Sequence, residues 1–232
     1  MKITLSLEKT VSGDVSIMVD VLRASTTITY ALDKFNTIIP CFTPEEAFVL
    51  RDEVNGIIAG ERGGEKIKGF DLGNSPEEIC SLENNINQLI LTTSNGTRIL
   101  KDMDSTVLIG CLANAESVAE KSLELGNSEI DVVMAGVRGE FAIEDYLAAG
   151  EIIYQIARNC DYCEISEYAQ SAILASRDYN MVKKAFYESR SGKRLTKLGH
   201  RKDVDFCLKM NSTNNVGIYH DNAINRLDLN MK

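Results

Sequence analysis

Short runs of β-branched and other apolar residues alternate with stretches of helical periodicity along most of this chain, an order that restricts it to an α/β fold. The runs at residues 3–7, 15–21, 37–42, 56–59, 88–92, 106–109, 130–135 and 216–219 read as strands. Helices are predicted at 25–35, 114–125 and 142–159. Two more have sharp starts. Thr43-Pro44-Glu45-Glu46 and Ser75-Pro76-Glu77-Glu78 each offer a capping hydroxyl, a proline at the first helical position and a glutamate at the third, the pattern of a reciprocal capping box. Beyond residue 164 the strands give way to short helical stretches at 168–176, 181–189 and 202–209. The expected architecture is a layered α/β/α unit with a mostly parallel or mixed sheet and a helical C-terminal part. Without a repeat, a low-complexity tract or a Ser/Gly-rich linker, residues 1–232 read as a single domain, with 1–163 as sheet core and 164–232 as helical cover plus a C-terminal strand.

Composition narrows the partners. A chain of 232 residues with 44% hydrophobic residues can bury a sizeable core. No run approaches the roughly 18 apolar residues a membrane-spanning helix needs, and the N-terminus lacks the apolar core of a signal peptide. The expectation is a cytoplasmic protein with no membrane partner. With 34 acidic against 25 basic residues the formal charge is −9, which repels nucleic acid and anionic lipid at long range. A small anionic, phosphorylated substrate remains compatible if basic groups are concentrated locally. A homo-oligomer paired through an apolar helix face is equally compatible.

Several chemistries are absent. No Cys carries an Arg six positions on: those positions hold Ala47, Ile86, Ser117, Ser166, Ala169 and Thr213, which excludes a cysteine-phosphatase nucleophile. Cys160-Asp161-Tyr162-Cys163 has no second pair to complete a zinc site, and the six cysteines read as reduced thiols. P-loop, dinucleotide, zincin and nucleophile-elbow strings do not occur. With only His200 and His220, a three-histidine zinc site is impossible. His200 is the better candidate for acid–base work, against the plainer reading of a surface histidine near a helix start.

What remains is a set of loops at the ends of strands. Asp20 and Arg23 stand where a strand gives way to a helix, the junction at which open α/β sheets hold small ligands. Gly60-Glu61-Arg62-Gly63-Gly64, Thr93-Ser94-Asn95-Gly96-Thr97 and Gly136-Val137-Arg138-Gly139-Glu140 each follow a predicted strand. Glycine lets backbone N–H groups face an anion, and a following helix adds its positive end. Any one such loop is as readily an ordinary turn; their coincidence points to a site. Asp20, Glu61, Asp71, Glu140, Glu144 and Asp145 supply the oxygen ligands that Mg²⁺ prefers, and Arg23, Arg62 and Arg138 supply clamps for acidic groups. For Glu144-Asp145 the competing explanation is that acids near a helix start offset the macrodipole. Asp20-Val21-Leu22 also approaches the first motif of aspartyl phosphatases, but the second acid of that motif is replaced by Leu22.

Taken together, D-V-L-R-A-S-T-T (from Asp20), G-E-R-G-G (from Gly60), G-F-D-L-G-N-S-P (from Gly69), T-T-S-N-G-T (from Thr92), A-G-V-R-G-E (from Ala135) and E-D-Y-L-A-A-G (from Glu144) resemble the 2-phosphosulfolactate phosphatase family. Six strings in consistent order, spread over residues 11–207, make the resemblance specific. It implies an α/β fold of its own type and Mg²⁺-dependent release of phosphate from 2-phosphosulfolactate to give 3-sulfolactate, a step toward coenzyme M. The family pattern usually has threonine where Ser25 stands and a proline in the C-terminal strand where Val216-Gly217-Ile218 has none.

On that resemblance, the candidate catalytic residues are Asp20, Arg23 and Glu61. Ser25, Thr26, Thr27, Arg62, Ser94, Asn95, Gly96, Thr97 and Arg138 are the candidate substrate binders, and Asp20, Glu61 and Asp145 the candidate Mg²⁺ ligands. The alternative reading is a non-catalytic small-anion or nucleotide sensor built on the same loops.

Overall fold

A computed structural model describes residues 1–83, 86–100 and 103–227. The first half of the chain runs β1 (Lys2–Leu7), β2 (Val15–Val19), α1 (Ala24–Ala31), β3 (Thr37–Cys41), α2 (Pro44–Val54), β4 (Ile57–Arg62), β5 (Glu65–Lys66), α3 (Pro76–Ser81), β6 (Gln88–Thr92) and α4 (Gly96–Leu100). The second half continues with β7 (Thr106–Gly110), α5 (Ala115–Leu125), β8 (Glu129–Met134), α6 (Ile143–Asn159), β9 (Glu164–Ile165), α7 (Glu167–Ser176), α8 (Tyr179–Glu188), α9 (Arg190–Lys197), α10 (Arg201–Cys207), β10 (Gly217–His220) and β11 (Ala223–Arg226).

The strands form one mixed sheet in the order β5-β4-β6-β3-β11-β10-β7-β2-β8-β1-β9. Two parallel blocks, β4-β6-β3 and β7-β2-β8-β1-β9, are joined by the antiparallel β10–β11 hairpin from the far end of the chain. The predicted C-terminal strand is therefore half of a hairpin that completes the middle of the sheet. Its partner β11, the two-residue strands β5 and β9, and the helices α4 and α9 carry too little local pattern to be read from sequence.

Both faces of the sheet are covered, and the period-2 alternation of a strand shows it. In β2, Val15, Ile17 and Val19 enter the core shared with α5, α6 and the C-terminal helices, whereas Met18 enters the opposite core with Ile28, Ile79 and Ile99. Each such fully buried aliphatic side chain contributes about 1.5–3 kcal/mol. Ala169, Val182, Phe186, Leu195 and Val204 tie α7 to α10 into the first core.

The two predicted caps form, with one difference from the reciprocal pattern. Thr43 Oγ1 accepts from Glu46 N–H at 3.1 Å and Ser75 Oγ from Glu78 N–H at 3.2 Å. The glutamates reach past the cap residues instead, accepting from the N–H of Phe42 and of Gly73, both at 2.8 Å. Among the described residues no helix is long and apolar enough to cross a membrane. All six cysteines are free thiols.

Candidate active site

The sheet curls so that loops from both parallel blocks meet. From β6 to β2 there are five inter-strand steps, about 24 Å if the sheet were flat. Yet a Cβ placed on Gly96, just after β6, would lie 2.9 Å from Asp20 Oδ2 and 2.8 Å from Ala24 Cβ. Only glycine permits that approach.

The turn after β2 is held by its own hydroxyls. The Asp20 N–H donates to Ser25 Oγ at 3.2 Å, the Ser25 N–H donates back to Asp20 O at 2.8 Å, and Thr26 Oγ1 donates to Val21 O at 3.0 Å. Ser25, Thr26 and Thr27 are fully buried, and none of them lines the cavity described below. Of the three predicted substrate binders, two therefore shape the turn. Thr27 Oγ1 has no hydrogen-bond partner among the described residues.

Four carboxylates gather beneath this turn. Burial, reinforced by the charge of Glu61, pushes the Asp20 carboxyl up to about 7, against hydrogen bonds from the backbone N–H of Ala24 and Gly96. Asp145 accepts from Val21 N–H at 2.9 Å and Gly136 N–H at 3.1 Å, fastening the start of α6 to the loops after β2 and β8. Its carboxyl is raised well above the usual range by burial, then by the charges of Asp20 and Glu144. Glu61 accepts from Ser94 N–H at 2.8 Å and Gly64 N–H at 2.6 Å. The side chain of Glu144, also buried, makes no hydrogen bond or ion pair among the described residues. None of the four is ion-paired there.

Of the four only Glu61 lines a cavity of about 370 Å³, whose lining also includes Gly63, Gly64 and four arginines: Arg23, Arg138, Arg190 and Arg194. Arg23 is 4% exposed and its Nη1 donates to Asp203 Oδ2 at 2.6 Å, while Nη2 donates to Gly64 O at 2.9 Å. Asp203, 1% exposed on α10, also accepts from the α3 cap hydroxyl of Ser75 at 2.6 Å and lies 3.9 Å from His200 Nδ1. Arg23 is thus aimed by one residue 180 positions away and another 41 positions away. The rest of its guanidinium donors are left for a ligand.

The other predicted residues divide. Asn95 and Arg138 line the cavity, joined by the Arg138 N–H donating to Asn95 Oδ1 at 3.3 Å. Ser94 and Gly96 act through their backbone N–H groups on Glu61 and Asp20. Thr97 is buried, its hydroxyl donating to Thr93 O at 3.2 Å. Arg62 is turned away: β4 alternates, so Glu61 faces the cavity and Arg62 the other side, donating to Phe42 O at 2.6 Å, Thr92 Oγ1 at 2.9 Å and Glu61 O at 2.7 Å. Arg190, Arg194, Asp203 and Asn74 escaped the sequence reading. The four-residue spacing of Arg190 and Arg194 on one helix face was the available signal.

Among the described residues no three His, Cys, Asp or Glu side chains form a ready-made metal cage. Mg²⁺ asks for less, one or two carboxylates with water and substrate oxygens completing the shell. Asp20 and Glu61, two buried carboxylates close enough for the charge of one to raise the other, fit that donor chemistry.

A family model described as 2-phosphosulpholactate phosphatase matches residues 2–222. The chain is 47% identical over 228 residues to a 2-phosphosulfolactate phosphatase of Methanothermobacter thermautotrophicus, covering 98% of this chain and 96% of that one. It is 36% identical to a 2-phosphosulfolactate phosphatase of Methanocaldococcus jannaschii, covering 89% of each. A probable 2-phosphosulfolactate phosphatase of Clostridium acetobutylicum is likewise 36% identical, over 87% of this chain and 88% of that one.

Proposed function

The chain belongs to the 2-phosphosulpholactate phosphatase family, and on that premise we propose that it is a Mg²⁺-dependent phosphatase acting on the phosphomonoester of a small acidic 2-hydroxy acid. The substrate the relatives' names indicate is 2-phosphosulfolactate, and its hydrolysis gives 3-sulfolactate, a precursor of coenzyme M, and phosphate. The observation that carries the reading is an acid cluster without ion pairs that reaches an arginine-lined cavity through Glu61. A purely structural cluster of this kind costs stability for no return.

Asp20 and Glu61 would hold the cation, with Asp145 fixing the turn that carries Asp20. Bound there, Mg²⁺ supplies positive charge to the phosphoryl oxygens as they gain charge. Arg23, its fork fixed by Asp203 and Gly64, holds the phosphoryl group for in-line attack by water. A carboxylate of the cluster accepts a proton from that water; Glu144, whose charge acts on both Asp20 and Asp145, is the member without a side-chain partner among the described residues. The proton ends on the departing alkoxide, so one water yields inorganic phosphate and the free 2-hydroxy acid.

Phosphate release from a panel of 2-phospho acids, with Mg²⁺ or with excess chelator, tests this. Turnover that chelator abolishes and Mg²⁺ restores is expected. Tight binding of the same acids without turnover would instead support an anion sensor.

A further inference from the structure

The cavity is larger and more basic than a phosphate group requires. At about 370 Å³ it falls within the range of small-molecule pockets, about 300–1,000 Å³. Its depth is ordered by charge. Its buried acid is Glu61, whose charge acts on the Asp20 carboxyl behind it, whereas Arg138, Arg190 and Arg194 line it as exposed residues. Only Arg23 among the four arginines is deep, and it is fastened to Asp203.

Arg194 holds a particular place among the exposed three. Its guanidinium lies directly on the Gly63–Gly64 turn: a Cβ on Gly63 would sit 2.4 Å from Arg194 Nη2. Gly63 and Gly64 adopt φ of +65° and +89°, so the turn both needs glycine and leaves room for the guanidinium. The same turn gives Glu61 its Gly64 N–H and Arg23 its Gly64 O. Arg194 therefore rests on the backbone that positions both deep residues; its carbonyl accepts from Leu198 N–H at 3.0 Å, yet its guanidinium makes no hydrogen bond or ion pair among the described residues. The Arg138 guanidinium, on the loop after β8 and in the same cavity lining, makes none either. Arg190 differs, since it is ion-paired with Glu140 and donates to Phe141 O at 3.3 Å.

We propose that Arg194 and Arg138 form a second anion subsite in the cavity, which binds a non-reacting acid group of the substrate. The enzyme then selects phosphomonoesters that carry a carboxylate or sulfonate close to the phosphate. The proposal rests on the phosphatase reading and deepens it, separating the guanidinium that holds the phosphoryl group, Arg23, from the pair that recognises the rest of the molecule. A guanidinium fork matches planar carboxylate and the oxygen face of a sulfonate alike, so the subsite selects an acid group and not one acid.

The test compares two substrates in wild type, Arg194→Gln and Arg138→Gln: 2-phospholactate and its neutral carboxamide analogue. Both variants are expected to lose about 10–100-fold in kcat/KM on 2-phospholactate, mostly through KM, with the carboxamide changed less than about twofold. Arg194→Lys should recover part of the loss. Equal losses on both substrates, or none on the acid, would overturn the proposal. Calorimetric binding of lactate plus phosphate and of 3-sulfolactate separates this failure from that of the phosphatase reading. If no variant or wild type turns over, weaker 3-sulfolactate binding to Arg194→Gln still supports the subsite. Unchanged or undetectable binding to wild type refutes it.

Discussion

Replacing Asp20 by asparagine should stabilise the metal-free protein while removing its activity. The Asp20 carboxyl titrates at about 7 in the fold against 3.8 for a free side chain. A folded value above the unfolded one means that the native state prefers the protonated form. The stability this confers is complete below the unfolded value and is lost as pH rises through 7. At pH 8 the fold carries an ionised, buried Asp20 at a cost of about 4 kcal/mol, taking about 1.4 kcal/mol for each unit between 3.8 and 7. Asparagine removes that cost. It also offers one acceptor where the carboxylate met the N–H groups of both Ala24 and Gly96, a loss of about 1–3 kcal/mol. The net expectation is a gain of about 1–3 kcal/mol at pH 8 in chelator, measured by urea unfolding. The gain should shrink by about 2 kcal/mol at pH 5.5, where the wild-type carboxyl is protonated. It should also shrink with millimolar Mg²⁺, which only the wild type would bind well. A variant less stable than wild type at pH 8, or a difference that ignores pH, would refute the argument that burial and Glu61 strain this carboxylate.

Three further substitutions probe the supports of the site. Asp203→Ala leaves the buried Arg23 without its ion pair and should cost about 3–5 kcal/mol in urea unfolding together with a large fall in kcat/KM; a cost under about 1 kcal/mol with unchanged kinetics would detach Asp203 from the site. Gly96→Ala drives a methyl against Ala24 Cβ and Asp20 Oδ2, and should cost about 1–3 kcal/mol and depress turnover, whereas an active, equally stable variant would show that the loop after β6 yields freely. Arg62→Ala should lower stability by about 1 kcal/mol through its lost bonds to Phe42 and Thr92 and leave KM within about twofold, so that a tenfold rise in KM would return Arg62 to the binding surface.

The division between Glu61 and Arg62 shows how much of the site could be read in advance. Both stand in one glycine-rich string, but they close a strand, and strand alternation already sends them to opposite faces. Ser25 and Thr26 stand among the substrate binders that the family resemblance implies; the fold spends their hydroxyls on the turn itself. In R-S-G-K-R-L-T-K the four-residue spacing of Arg190 and Arg194 puts both on one helix face but does not say which cavity that face meets. That polar stretch becomes α9 through the Ser189 cap, which accepts from Gly192 N–H at 3.0 Å, and through burial of Leu195 against the core.

The sequence by itself determined the α/β class, the positions of most strands, the two proline-led helix starts and the strand ends, loops and helix start that hold Asp20, Glu61, Asn95, Arg138 and Asp145. Those are consequences of local periodicity, capping and glycine placement. Only the tertiary structure decided that a C-terminal hairpin joins the two parallel blocks, that the curled sheet presses Gly96 against Asp20, and that α9 and α10 deliver Arg194 and Asp203 to the cavity. Apolar spacing records which side of an element is buried. Which buried sides meet is settled by the packing of the whole chain, where contacts separated by a hundred residues or more compete on equal terms.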